Sequence, residues 1–185
     1  LNHLTNTLNA VHGSFSRYWR IGTTSGKSGT SYWQMMRERH CVAVGWPKLG
    51  DISWIEAKKD SREKLRTLLE EKHPNHPTAI GRDCSQLVQF VAEIAEGDIV
   101  LAADGMSILS VGRVRGGYEY HPDFDFPHQR QVEWLTVDKW QMPDASEGLQ
   151  STVHELGKFT DDILAIERHI QSPLTAPTDP TKPHT

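Results

Sequence analysis

The stretch that most limits what this chain can fold into runs from Gly97 to Tyr120, GDIVLAADGMSILSVGRVRGGYEY. Ile99, Val100 and Leu101 form a short apolar run, and Ile108 to Val114 resumes it. Between them Asp104-Gly105 supplies a pair that tolerates positive φ, one of the stronger signals for a tight turn between two strands. Gly112, Gly116 and Gly117 then mark places where the second strand kinks or approaches another surface.

Other segments take their places around this hairpin. Tyr18 to Gly22 reads as a first strand, and Ser31 to His40 as a short helix capped by Thr30 or Ser31. Cys41 to Trp46 is a strand that Pro47 forces to end. A helix is predicted from Asp60 to about Glu71, with Leu65, Leu68 and Leu69 as its stripe. Asp83-Cys84-Ser85-Gln86 has the form of a capping box opening a helix to about Ala95. Gln131 to Leu135 alternates as a further strand, and Asp161 to Gln171 forms a last helix. Tyr118 to His128 and residues 136–150 read as irregular.

These elements give one domain over residues 17–171, an N-terminal extension over 1–16 with Leu4, Leu8 and Val11 as its only apolar spacing, and a Pro- and Thr-rich linker over 172–185. Pro173, Pro177, Pro180 and Pro183 lie there among polar residues, a composition that cannot bury a core. The start at Leu1 and this linker lead us to expect a piece of a longer protein, with a C-terminal motor or nuclease part beyond it. No apolar run approaches the roughly 18 residues of a membrane span. No leader precedes the first strand, so a cytoplasmic protein without a membrane partner is expected.

Cys41 and Cys84 sit within apolar patterns and read as reduced, buried thiols. The net charge is −4, so nothing in the bulk composition announces nucleic acid. The distribution does more: Arg17, Arg20, Lys27, Arg37, Arg39 and Lys48 face a single acid, Glu38, between residues 17 and 48. Such a region can present a phosphate-binding face on an acidic protein. Gly26-Lys27-Ser28 invites a phosphate-loop reading, but the required earlier glycine would fall at Ile21, and Gly22 is one residue too close. Lys27 is read as a phosphate contact on a flexible loop. His73 and His76 are spaced like metal ligands but flank prolines and lack a third partner. No metal or other cofactor is expected.

The blocks RYWRIG, SYWQMM, CVAVGWPKLGDIS, GDIVLAADG and VGRVRGGYEYHPDFDFPHQRQVEWL, in this order, resemble the PUA-like superfamily with its EVE and YTH domains. They are most similar to the N-terminal DNA-recognition domains of McrB-type restriction NTPases, and together cover roughly residues 17–135. The resemblance implies an α+β fold with a small, barrel-like mixed sheet flanked by helices. It also implies a non-catalytic module that reads a methylated base in double-stranded DNA, 6-methyladenine first and a modified cytosine such as 5-methylcytosine second. The base would be flipped out of the duplex for a modification-dependent restriction system whose AAA+ motor or nuclease lies elsewhere. Carried over by position, Trp33 and Trp46 are the cage aromatics, with Tyr32, Trp54 and Tyr118 competing for the third wall. Asp104, Ser107, Asp51 or loop backbone would read the base edge.

Stacking on an aromatic side chain is worth about 1–3 kcal/mol per base, whereas one buried methyl adds only about 0.8 kcal/mol. Discrimination therefore needs a pocket whose shape or polar groups reject the unmodified base. For any single tryptophan core packing is the better reading, and Trp19 and Trp134, inside alternating strands, are assigned to the core. Trp33 and Trp46 border polar loops, where binding residues concentrate. An RNA-binding module of the same fold, a small nuclease and a protein-interaction adaptor are the rival readings.

Overall fold

The computed structural model describes residues 16–172. Apart from their innermost residues, the N-terminal extension and the C-terminal linker expected from the sequence lie outside the described residues. In chain order the elements are β1 (Tyr18–Gly22), α1 (Trp33–Glu38), β2 (Cys41–Val44), a 3-10 turn (Pro47–Leu49) and α2 (Lys59–Lys72). Then come α3 (Ile80–Val88), a π-turn (Gln89–Glu93), β3 (Ile99–Asp104), β4 (Ser107–Tyr120), β5 (His128–Thr136), β6 (Val153–Leu156) and α4 (Thr160–Gln171).

The hairpin is the centre of the sheet. β3 and β4 pair antiparallel around Gly105, whose φ of +55° suits the turn. β3 also pairs in parallel with β1, Tyr18 opposite Ile99 through Gly22 opposite Ala103. β5 and then β2 extend the β4 side, and β6 closes the β1 side, giving the order β2-β5-β4-β3-β1-β6. Among the described residues the architecture is mixed α+β with a six-stranded sheet, and the expected barrel-like closure is absent. β2 and β6 stand at opposite ends with no pairing between them. Each has only four residues, and helices on both faces close the core instead.

Alternation along the strands sends side chains to those two faces. Trp19, Ile21, Val100, Val114 and Val132 point to one side, where Leu65 and Leu69 of α2 and Cys84, Leu87 and Val88 of α3 cover them. Ile99, Leu101, Ile108 and Val111 point to the other, beneath Ile163, Ile166 and Ile170 of α4. Trp19 is fully buried, as its strand position predicted, and its indole N–H donates to Asp98 Oδ2 at 2.8 Å. Trp134 is half-buried across Gly112. A Cβ at Gly112 would stand 2.8 Å from the indole, so only glycine lets the two strands close there. Both cysteines are free and buried, and burial pushes the Cys41 thiol up to about 11.

Three segments differ from the sequence expectation. β4 continues through Tyr120, and β5 begins at His128, because a bulge between Val114 and Tyr118 keeps the pairing in register past Gly116 and Gly117. β6 arises inside a region without a strong apolar period and exists by pairing with β1. The helix after Asp83 ends in a π-turn whose carbonyls need an outside donor. Buried Arg130 supplies it, donating from Nε to Phe90 O and from Nη2 to Val91 O, both at 2.6 Å. Burial lowers its guanidinium to about 10.

Candidate functional site

A cleft of about 680 Å³ opens where the Thr24–Lys27 loop, the end of β2, the α2–α3 connection and the first turns of α3 meet. Its aromatic members are Trp46, Tyr32 and Phe126. Tyr32 stacks on Phe126 with ring centroids 4.0 Å apart, and its hydroxyl donates to Asp125 Oδ2 at 3.3 Å. Two of the predicted pocket residues, Tyr32 and Trp46, are thus brought to one cavity with the predicted phosphate contact Lys27, and Phe126, part of the aromatic loop before β5, joins them.

Trp46 is held in an unusual way. Its φ of 59° and ψ of 47° place a bulky residue in the left-handed region, a conformation costing of order 1–3 kcal/mol that neighbours must enforce. Pro47 contributes by disfavouring the right-handed helical region for the residue before it. At the ring end, the indole N–H donates to Asp83 Oδ2 at 3.2 Å. At the backbone end, the carbonyl accepts from Leu49 N–H at 3.1 Å and lies 3.3 Å from His128 Nε2.

His128 is fully buried, and desolvation pushes its imidazole down to about 4. It is therefore neutral at pH 7. Its Nδ1 is 2.8 Å from the Tyr118 hydroxyl, which also accepts the Ile52 N–H at 3.3 Å. One proton arrangement satisfies every group: Ile52 N–H donates to Tyr118, Tyr118 O–H donates to Nδ1, and Nε2–H donates to the Trp46 carbonyl. Tyr118, one of the three third-wall candidates, accordingly stands behind Trp46 as the start of a relay. Desolvation holds its phenol up at about 12.

The rim is basic. Lys27 and Arg82 are exposed in the cleft lining, and exposed Lys48, next to Pro47 of that lining, adds its charge at His73. His73 lines the same cleft with Nε2 buried and without a hydrogen-bond partner among the described residues. Burial first, and then the charges of Lys27 and Lys48, lower its imidazole below the ordinary value.

The other predicted residues go elsewhere. Trp33 meets Trp134 edge-on at 5.1 Å and packs with Met36 against Ala43. Trp54 lies against the core with the Lys64 ammonium 4.1 Å above its ring. Asp104 and Ser107 pair across the β3–β4 turn, and Asp104 reaches the cleft only through Thr24, whose hydroxyl donates to it at 3.2 Å. Asp51 binds the Ser53 N–H.

Of the six cations assigned to DNA backbone, two are corrected. Arg20 is 3% exposed, and its guanidinium donates to the carbonyls of Gly105 and Gly148. Arg17 covers the Trp19 ring and donates from Nε to Glu155 Oε1 at 2.7 Å. Both charges are consumed within the fold. Lys27, Arg37 and Lys48 remain exposed, and Arg39 sits over the Phe124 ring at 4.3 Å.

In the sequence Asp83 and Gln86 have the form of the two ends of a capping box, which by itself places neither in the cleft. In the structure α3 begins at Ile80, so Asp83 lies inside the helix with its carboxylate free for Trp46. A polar pair spaced i, i+3 within an otherwise apolar helix face was the available signal.

A family model described as a domain of unknown function, DUF8426, matches residues 19–157. The chain belongs to that family, and every element lining the cleft falls within the matched span. A comparison with curated proteins finds no match.

Proposed function

We propose that this domain is a PUA-like (EVE/YTH-like) reader of a methylated base in double-stranded DNA. The base is flipped into the cleft beside Trp46, 6-methyladenine being favoured and a modified cytosine second. It serves as the specificity module of a modification-dependent restriction system, with the catalytic motor or nuclease in another domain or subunit. The observation that carries the reading is Trp46 itself. Its costly backbone conformation is enforced from both ends, by Asp83 and by the Tyr118–His128 relay. A fold seldom maintains such strain unless the side chain it positions has work to do.

The setting suits that work. An extruded base loses its stacking partners, and an aromatic side chain in a cleft replaces them. Exposed Lys27, Lys48 and Arg82 lie where the flanking phosphates would pass, and such contacts position a duplex without reading its sequence. Anisotropy titrations of the chain with matched duplexes carrying 6-methyladenine, 5-methylcytosine, 5-hydroxymethylcytosine or no modification, and with one methylated RNA, test the proposal. Preference for one modified duplex is the expected result. Equal affinity for all duplexes refutes it, and stronger binding to the RNA reassigns the module.

A further inference from the structure

The wall of the cleft carries one polar side chain that is deeply buried, fixed in orientation and left with an unused donor. Gln86 is 5% exposed and lies on α3 three residues after Asp83, so both project from one helix face with Cβ atoms about 5–6 Å apart. Its Oε1 accepts the N–H of Thr152 at 2.6 Å and of Val153 at 2.9 Å, at the start of β6. Turning the amide over would set its NH2 against two N–H donors, so the oxygen is fixed toward β6. Nε2 has no acceptor among the described residues and is not sealed within the core; the residue lines the cleft. Asp83 beside it is an acceptor only. Its Oδ2 takes the Trp46 indole N–H, its Oδ1 lies 3.6 Å from Arg82 Nε, and a carboxylate retains lone pairs beyond these.

We infer that Gln86 and Asp83 read the hydrogen-bonding edge of an aminated base, Gln86 donating to its unprotonated ring nitrogen and Asp83 accepting the exocyclic N–H. This rests on the base-reading proposal above and names the class of base. 6-Methyladenine offers N1 and its one remaining N6–H; 5-methylcytosine offers N3 and N4–H. Guanine and thymine carry a protonated ring nitrogen beside a carbonyl and, in the same pose, oppose donor to donor and acceptor to acceptor. The aromatic walls accept any base face, so this pair supplies the discrimination that stacking lacks.

The test uses the 185-residue chain and duplexes with a single 6-methyladenine, its 1-deaza form (ring nitrogen replaced by C–H) or adenine. A parallel set carries 5-methylcytosine and its 3-deaza form. Wild type and Gln86→Glu are compared by anisotropy, with thermal melting of each protein. The carboxylate introduced by Gln86→Glu keeps an oxygen for Thr152 and Val153 and exchanges only the cleft-facing donor for an acceptor. Loss of one good base contact should cost wild type about ten- to a hundred-fold in affinity for the deaza duplex. Gln86→Glu should bind the methylated duplex weakly and be indifferent to the deaza change. Equal wild-type affinity for the two, or full discrimination in a folded Gln86→Glu, overturns the inference while the base-reading proposal stands. If the variant fails to fold, the wild-type deaza comparison still decides. A wild type indifferent to methylation removes the base-reading proposal and this inference with it.

Discussion

Replacing Tyr118 by phenylalanine removes one oxygen and leaves two groups without a partner. The hydroxyl is the acceptor for Ile52 N–H and the donor to His128 Nδ1, and the phenylalanine ring fills nearly the same volume, so no cavity term enters. A buried group that loses its only partner costs about 1–3 kcal/mol. Two such groups give at most roughly 2–6 kcal/mol, and the lower part, about 2–4 kcal/mol, applies because the Ile52 N–H, next to exposed Asp51, can find water. Against a total stability of about 5–15 kcal/mol the domain stays folded. For a chain of this size, 1 kcal/mol corresponds to about 2–4 °C, so the melting temperature should drop by roughly 5–15 °C. A second effect separates this relay from ordinary packing. Without the Tyr118 hydroxyl donating to its Nδ1, His128 is free to change tautomer or tilt, and the hold on the Trp46 carbonyl weakens. The strain at Trp46 is of the same order as that hold, so the loop relaxes in part and affinity for the modified duplex falls while non-specific binding persists. Calorimetric melting and anisotropy on the same preparation read both effects. A melting temperature within about 2 °C of wild type, or a destabilised protein with undiminished modified-base preference, would refute the relay.

Trp46→Ala should lose about 1–3 kcal/mol of stacking, seen as a loss of preference in titration, whereas Trp33→Ala should lower the melting temperature and leave preference intact. Lys27→Ala and Lys48→Ala should weaken methylated and unmodified duplexes by similar factors and reduce the salt dependence of binding. Arg20→Ala should instead destabilise the fold, by leaving the Gly105 and Gly148 carbonyls without their donor, which denaturant unfolding would record. His128 makes stability fall on acidification. Its folded value of about 4 lies below the ordinary 6.5, so the unfolded chain binds the proton first. The stabilising contribution is present above pH 6.5 and is lost as pH drops through that window toward 4, with a ceiling of ~3 kcal/mol. A flat melting temperature between about pH 7 and pH 4.5, or the same slope in His128→Asn, would count against it.

Features whose cause is local could be read from the chain. Asp104-Gly105 predicted the central turn because only two residues decide it, and the place of Trp19 inside an alternating strand predicted its burial. The stripe of Leu65 and Leu69 likewise placed α2. What escaped depends on partners distant in the chain. Arg20 looks like a surface cation until β6 and the turn at Gly105 close over it. His128 becomes neutral only when it is buried beneath Trp46, 82 positions away. Gln86 resembles a cap residue in sequence, and its fixed amide exists only because β6, itself weakly patterned, docks against α3. Openness of the sheet was equally hidden, since closure depends on whether two four-residue edges meet, and no local pattern reports that.

The most direct measurement places 2-aminopurine beside a single 6-methyladenine in a duplex and follows its emission as the chain is added, with Trp46 intact or replaced by alanine. Extrusion of the methylated base unstacks its neighbour, so emission should rise to saturation with wild type, rise little on the unmethylated duplex, and stay low with Trp46→Ala at equal occupancy. No rise at saturating wild-type binding, or an equal rise with folded Trp46→Ala, would contradict the claim that this cleft receives a flipped base.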